Sequence, residues 1–515
     1  MKLKELKNRL DWCIIIIPFL GIVSLCTLFI LKPEESGEIL TKIRYFFSND
    51  CGVYYLLVTL AFFICSFVMA FSKYGKIKLG ENAKPEYPTV IWGMMIFNST
   101  FAADLIFYSL SEWTMYATEP HVQNLGDVQK WSAVYPLFHW GPLSWGVYVV
   151  LIAAFGFMLH IRKRDKQKFS EGLRPVLGNK VDGPAGKIVD LFAVFALLAG
   201  TSATFSIATP LISAAISKVT GIPNSRQLTI VILIFVAAVY TMTVLFGMKG
   251  IAKLASYSSY FFIALLAGVF FLGGEMRFIL ESGVTSLGTL GQNFISLSTF
   301  IDPLRKTTFA QDWTFFYWSY ALTWCIATPF FIATISKGRT IKNTILGTYF
   351  WGIAASFTSF IVLGNYGMAQ QFKNGVDILG VIQNGGSYPD AVMKIVETLP
   401  MSKIFMILIC ITMISFYSTT FDALTMVVSS YSYKKLKIGD EPDKKVRVFW
   451  AVLFILLPIA LLFSEKTIHA LQSISVIAAL PIGIIVLLII YGFFKDAKKC
   501  NFQSVNFIKM QFSQN

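Results

Sequence analysis

Val53-Tyr-Tyr-Leu-Leu-Val-Thr-Leu-Ala-Phe-Phe-Ile-Cys-Ser-Phe-Val-Met-Ala-Phe71 is a run of 19 residues without one charge. The hydrocarbon core of a bilayer takes about 20 apolar residues as a helix. Irregular backbone facing lipid would leave its amides without partners, so such a run spans as a helix or not at all. Residues 13–31, 148–159 and 474–493 read the same way. Across 515 residues, 55% are hydrophobic and 14% charged, against roughly 25% charged in a soluble domain. The fold class is therefore an all-α polytopic membrane protein. Twelve transmembrane helices are expected, at about 10–31, 51–72, 89–117, 133–160, 184–216, 226–247, 252–282, 313–336, 341–366, 402–430, 446–464 and 467–494. Two stretches, 285–305 and 376–398, are amphipathic and too polar to span, and are expected on the outer surface as interfacial helices. Nothing else is long enough to form a soluble domain, so 1–515 reads as one integral membrane domain.

The net charge of +15 does not imply nucleic acid. Its basic residues fall between the apolar segments, on alternate sides: Lys2, Lys4, Lys7 and Arg9; Lys73, Lys76, Lys78 and Lys84; Arg162 to Lys168; Lys337, Arg339 and Lys342; Lys434 to Arg447; Lys495, Lys498 and Lys499. By the positive-inside rule both termini are expected in the cytoplasm of a multi-pass protein of the bacterial inner membrane. The seven cysteines show no paired spacing, and most lie in apolar runs where a thiol acts as a small hydrophobe. The basic start followed by an apolar run lacks a small-residue cleavage site, so it reads as a retained first helix.

Helices three, four, eight and ten are apolar but interrupted. The third contains Phe97-Asn-Ser-Thr-Phe-Ala-Ala-Asp104 and the tenth Ser415-Phe-Tyr-Ser-Thr-Thr-Phe-Asp422. Interrupted helices at corresponding positions of two halves point to a transporter's binding site. Helices three and eight are five apart, as two inverted five-helix repeats (89–282 and 313–494, after an N-terminal pair at 10–72) would require.

The interrupted helices also carry rings. Helix four reads His139-Trp-Gly-Pro-Leu-Ser-Trp-Gly-Val-Tyr148, with Trp140 and Tyr148 near one helical face and Trp145 offset. In helix eight Tyr317, Tyr320 and Trp324 recur at i, i+3, i+7. Rings converging from two helices form a cage for a cation that cannot lose a proton, each contact contributing about 0.5–2 kcal/mol once water is excluded. Core packing and interfacial belts use the same residues.

Several motifs carry a resemblance. Asp312-Trp-Thr-Phe-Phe-Tyr-Trp318, continuing to Ile335-Ser-Lys-Gly-Arg-Thr340, resembles the signature of the betaine/carnitine/choline transporter family, as do His139-Trp-Gly141, Gly221-Ile-Pro-Asn-Ser225 and Gly247-Met-Lys-Gly-Ile251. Ala208-Thr-Pro-Leu211 and Phe494-Lys-Asp-Ala-Lys498 lean toward its carnitine branch. The resemblance implies twelve helices, the last ten in a LeuT-like five-plus-five inverted repeat, often assembled as a homotrimer. It also implies a small quaternary-ammonium substrate held by Trp140, Trp145, Tyr148, Trp318, Tyr320 and Trp324. Two departures follow. The helix-eight motif usually has tryptophans where Tyr320-Ala321 stand, so Ala321 leaves room for a bulkier or differently posed substrate. The glycine-rich run of helix three in betaine carriers is replaced by Thr100-Phe-Ala-Ala-Asp104.

A carboxylate at mid-membrane costs several kcal/mol and is a functional candidate by default. Asp104 suits a substrate of net positive charge, such as choline, or a coupling proton. Glu112 matches a family glutamate placed near the membrane surface and reads as structural. Phe416, Thr419 and Thr420 match the positions that hold a sodium ion in sodium-coupled relatives. Ala255-Ser-Tyr-Ser-Ser-Tyr260 lacks the arginine that sodium-independent carnitine exchangers place there, so Na+ or H+ coupling is expected and no other cofactor. Threonines bonded back to their own helix remain the alternative. Enzyme chemistry finds no machinery: four scattered histidines, and no P-loop, GxSxG or HExxH. The reading is a secondary transporter of choline, glycine betaine, carnitine or a similar compound. A carnitine/butyrobetaine-type exchanger is the nearer alternative, and a channel or non-transporting sensor the more distant one.

Overall fold

The computed structural model describes the backbone of residues 7–80, 84–164, 166–246, 248–437, 440–464 and 468–512, with side chains except over 243–255, 464–471 and 500–512. Lys2, Lys4, the Gly247–Ile251 motif, Ala255, His469 and Cys500 thus lie wholly or in their side chains outside the described residues. The regular secondary structure of the described residues is all helical, with three isolated β-bridges and no strand.

Among the described residues eight helices are long and apolar enough to cross a membrane, and up to eleven if each bent pair is one span. That falls one short of the expected twelve. The shortfall is the sixth helix, Arg226–Phe246, whose described apolar part is only Arg226–Met242. Val128–His160 and Pro184–Thr220 are the innermost, with 83% of their apolar windows buried, while Trp12–Leu31 has 28% and turns most of its side chains outward. The multi-pass membrane character is plain from these apolar lengths.

Three of the expected spans are bent, the third and eighth as their interrupted sequences suggested and the seventh where a continuous helix was expected. The third is two pieces, Thr89–Ser99 and Ala103–Ala117, at 68°. The eighth is Ala310–Trp324 followed by Thr328–Ile335 at 57°. The seventh ends at Leu272 rather than 282, because the chain turns 110° into Met276–Thr299. That turn passes through Gly274 at φ +79°, a backbone glycine adopts without a Cβ penalty. The amphipathic helix expected from 285 therefore starts at Met276. Helix four divides into Val128–His139 and Pro142–His160, the second opened by Pro142 at its first turn.

Elsewhere the expectations differ in the opposite direction. The tenth helix, Ser402–Tyr431, is unbroken. Its hydroxyls bond back to carbonyls of the preceding turn, as Thr412 to Leu408 (2.6 Å) and Ser418 to Ile414 (2.9 Å), so the polar run needs no break. In the stretch 376–398, Tyr388–Glu397 buries most of its apolar residues against the Ala103–Ala117 and Pro184–Thr220 helices. A helix at Pro33–Tyr45 had no expected counterpart.

The basic loops are drawn together. Bridges join Leu10 to Tyr433, Lys78 to Thr340 and Lys166 to Lys437, and Arg162 pairs with Asp496 at 2.6 Å. Beneath them Arg447 pairs with Asp422, both almost wholly buried.

Candidate substrate and ion site

The broken third helix sets the site. Ala102 is extended and caps nothing with its side chain, so Ala103–Ala117 begins abruptly, with Asp104 in its first turn. A helix N-terminus carries partial positive charge and unpaired amides, which suit a carboxylate there. The Asp104 carboxylate meets the amides of Asp104 and Leu105. It also accepts a hydrogen bond from the Tyr320 hydroxyl, and the same hydroxyl bonds Thr204 on the Pro184–Thr220 helix. All three side chains are about 5% exposed. The two departures in the motifs, Asp104 and Tyr320, are thus one hydrogen-bonded pair.

Rings surround this pair. Trp140 lies 5.7 Å from Tyr108, 5.7 Å from Tyr317, 6.3 Å from Tyr320 and 5.6 Å from Phe360. Tyr320 lies 6.1 Å from Trp324. Trp324 fits because Gly200 faces it: a Cβ there would come within 2.5 Å of Thr323 Oγ1 and 3.3 Å of the Trp324 indole nitrogen. Trp145 and Tyr148 pair with each other at 5.3 Å, and Trp145 lies against Gly352. No described ring contact links that pair to the first group. Trp318 packs on Phe138 and Phe315 at 6.1 and 6.0 Å. At about 100° per residue it projects roughly 160–200° from Tyr320, which accounts for its separate surroundings. The Tyr108 and Tyr317 hydroxyls and the Trp324 indole N–H are buried without a hydrogen-bond partner of standard geometry. Buried polar groups are usually paired, and polar neighbours stand by two of these, Gln472 beside Tyr108 and Glu112 with Tyr116 beside Tyr317. Trp140 and Tyr320 touch edge to face.

The candidate ion residues sit close to the same break. The Phe416 ring meets Phe101 at 6.2 Å and Phe262 at 5.7 Å. The Thr419 hydroxyl donates to the carbonyls of Ser415 (3.2 Å) and Phe416 (3.1 Å). Its oxygen keeps lone pairs for a cation, and hard oxygens suit an alkali ion. The Phe416 carbonyl accepts one of these bonds, so Thr419 is bonded back to its own helix as the alternative reading has it. Among the described residues no cluster of His, Cys, Asp or Glu has metal-holding geometry.

Sequence reading passed over the groups behind Trp140. Glu112 is fully enclosed, and its Oε2 accepts from the Trp140 indole at 2.8 Å. Asp104, Tyr108, Glu112 and Tyr116 stand at i, i+4, i+8 and i+12, a polar stripe on one face of an apolar helix. That spacing was the available signal.

The family model described as BCCT, betaine/carnitine/choline family transporter, matches residues 13–501. The chain belongs to this family. Among its relatives, a carnitine transporter of Acinetobacter baumannii is 28% identical over 488 residues, covering 93% of this chain and 88% of that one. The glycine betaine transporter OpuD of Bacillus subtilis is 28% identical over 478 residues, covering 91% of each. A probable glycine betaine transporter of Desulfitobacterium hafniense is 27% identical over 475 residues, covering 90% of this chain and 93% of that one. The protein is a transporter of the betaine/carnitine type and not an enzyme.

Proposed function

We propose that this member of the betaine/carnitine/choline family carries a quaternary-ammonium compound by alternating access, and that Asp104 tilts its preference toward a substrate of net positive charge, of which choline is the simplest. The observation that carries this reading is the Asp104–Tyr320 bond inside the ring group of Trp140 and Trp324. Half-helix N-termini in transporters point at anionic groups of the substrate. Here the protein supplies its own carboxylate at that terminus, which leaves the site short of a cation rather than of an anion. The names of the relatives favour betaine and carnitine, and Ala321 leaves room for either.

The rest of the reading is twelve crossings with a LeuT-like repeat in the last ten. The termini and the joined basic loops face the cytoplasm of a bacterial inner membrane, and the assembly is a homotrimer in lipid. Trp145, Tyr148 and Trp318 complete the cage when the rings rearrange. Na+ at Thr419 and Thr420, or a proton, couples transport; the alternative is coupling-free exchange. Uptake of labelled choline, glycine betaine and carnitine into proteoliposomes tests all of this, with and without Na+ and a pH gradient. Choline uptake exceeding betaine uptake is the expected result. If none of the three is moved, the cage reading fails.

A further inference from the structure

The Glu112 carboxylate takes a hydrogen bond at each oxygen, from the Tyr116 hydroxyl at 2.5 Å and from the Trp140 indole at 2.8 Å. The Tyr116 oxygen is also 2.6 Å from Nδ1 of His139, and Nε2 of His139 is 3.0 Å from the Thr314 hydroxyl. Glu112, Tyr116 and His139 are at most 1% exposed and Thr314 3%. The groups facing Glu112 are Tyr108 and Tyr116 from its own helix, His139 and Trp140 from helix four, and Tyr317 from helix eight, whose ring lies flat on His139 at 4.9 Å. Asp104 adds its charge beyond Tyr108. Among the described residues no Lys or Arg pairs with Glu112. The Pro184–Thr220, Phe360–Gly364, Tyr388–Glu397 and Ser402–Tyr431 elements, which also pack on this helix, bring no charged partner to it either.

Hydroxyls and a neutral imidazole can each give or accept a hydrogen bond, and two arrangements satisfy this chain throughout. With Glu112 a carboxylate, Tyr116 donates to it and accepts from Nδ1–H of a neutral His139, whose Nε2 accepts from Thr314. With Glu112 a carboxylic acid, Glu112 donates to Tyr116, Tyr116 donates to Nδ1, and Nε2–H donates to Thr314. The second arrangement holds one proton more, and every bond between Glu112 and Thr314 is reversed. We propose that Glu112, Tyr116 and His139 form a store for a single proton, linked to the ring group through the Trp140 indole. A proton arriving at Nε2 of His139 sends the Nδ1 proton to Tyr116, and the Tyr116 proton passes to Glu112. The Trp140 bond persists in both arrangements but loses its charge assistance when Glu112 is neutral, so filling the store loosens the indole against its neighbours. The consequence for transport rests on the ring group being the substrate site; the store itself does not.

Infrared difference spectra of the purified full-length protein, acid minus neutral and without substrate, test it. The wild type is expected to gain a protonated-carboxyl C=O band together with a tyrosine C–O component. Other carboxyls also protonate, so Glu112→Gln is expected to lose one component of the carboxyl band, and with it the tyrosine component, while Asp104→Asn keeps both of these. Tyr116→Phe and His139→Gln, which leave the carboxyl in place, are expected to lose the tyrosine component and serve where Glu112→Gln does not fold. Superimposable spectra for wild type and Glu112→Gln overturn the proposal, as does a tyrosine component that survives Tyr116→Phe. No substrate is added, so this failure is distinct from a failure of the transport reading, which would appear as absent uptake.

Discussion

Replacing Asp104 by Asn keeps the size of the side chain and removes its charge, which makes it the sharpest perturbation of substrate choice. A cation over the Tyr320 face lies within about 6 Å of the ring centroid. The phenol hydroxyl touches the Asp104 carboxylate, so carboxylate and cation are about 6 Å apart. Unit charges at that distance and an effective dielectric of about 20 attract by about 3 kcal/mol, on the order of 100-fold in affinity. Choline feels the whole of this. A zwitterion such as glycine betaine feels attraction at one end and repulsion at the other, which largely offset. The choline-to-betaine ratio of uptake at low substrate is therefore expected to fall by about 10- to 100-fold in Asp104→Asn. Tyr320→Phe removes a hydrogen bond to a charged group, a loss of about 1.5–3 kcal/mol. Tyr320→Phe leaves the Asp104 charge in place, so its ratio is expected to stay nearer the wild-type value than that of Asp104→Asn. A ratio unchanged within about twofold in Asp104→Asn would refute the reasoning.

Thr419→Val removes one hydroxyl oxygen from the candidate ion site and is expected to raise the sodium concentration for half-maximal uptake by about tenfold; overlaid sodium curves would exclude the residue. Asp422→Asn leaves the buried Arg447 guanidinium without its counter-charge, at a cost of about 3–5 kcal/mol. Its thermal midpoint is expected to drop by several degrees, with much of the loss recovered when Arg447 is also made apolar. In the loop after helix four, hydrogen bonds from Arg174 and then Lys166 hold the Asp182 carboxyl well below the usual carboxylate range. A depressed carboxyl stabilises the loop fully above its unfolded pKa of about 3.9 and loses this only as pH falls through the lower folded value. Proteolysis of residues 162–183 is thus expected to be flat between pH 6 and 8. Asp182→Asn is expected to speed it about two- to fivefold at neutral pH, the worth of an exposed pair; acceleration of the wild type on lowering pH from 8 to 6 would contradict the sign.

The spans were legible because an uncharged run of bilayer length has one solution. Their breaks were only half legible. Thr100-Phe-Ala-Ala103 and Ser415–Asp422 look alike as polar insertions, yet one breaks its helix and the other does not. Back-bonded hydroxyls do not separate the two, since Ser99 and Thr100 reach the Ile96 carbonyl (2.8 and 3.1 Å) just as Ser418 reaches that of Ile414. Pro33–Tyr45 carried its own signal, proline at the first turn with Glu34 and Glu35 beside it and Lys42 and Arg44 at the end, but polarity hid it from a search for apolar runs. In the site, the stripe of Tyr317, Tyr320 and Trp324 followed from helical period alone, whereas Trp318 was counted with the cage from the resemblance and packs on Phe138 and Phe315 instead. The bond between Asp104 and Tyr320 joins residues 216 apart in sequence, a separation that no local pattern spans.

That bond also explains why the two departures from the family pattern occur together. A tryptophan at position 320 would have no hydroxyl to offer, and its N–H would reach a different point from the Tyr320 hydroxyl. A carboxylate at position 104 would then depend on the two amides of its helix end alone, in a setting where an unpaired charge is expensive. Conversely, a tyrosine at position 320 facing glycine at position 104 would leave its hydroxyl with Thr204 as sole partner. Each substitution makes the other tolerable. On the function proposed above, the half-helix terminus open to the carboxylate of a zwitterionic substrate is already filled by the protein's own. Such a substrate must either displace Tyr320 from Asp104 or bind with its carboxylate turned elsewhere. A substrate with no carboxylate faces neither demand, which is the physical reason the site should favour it.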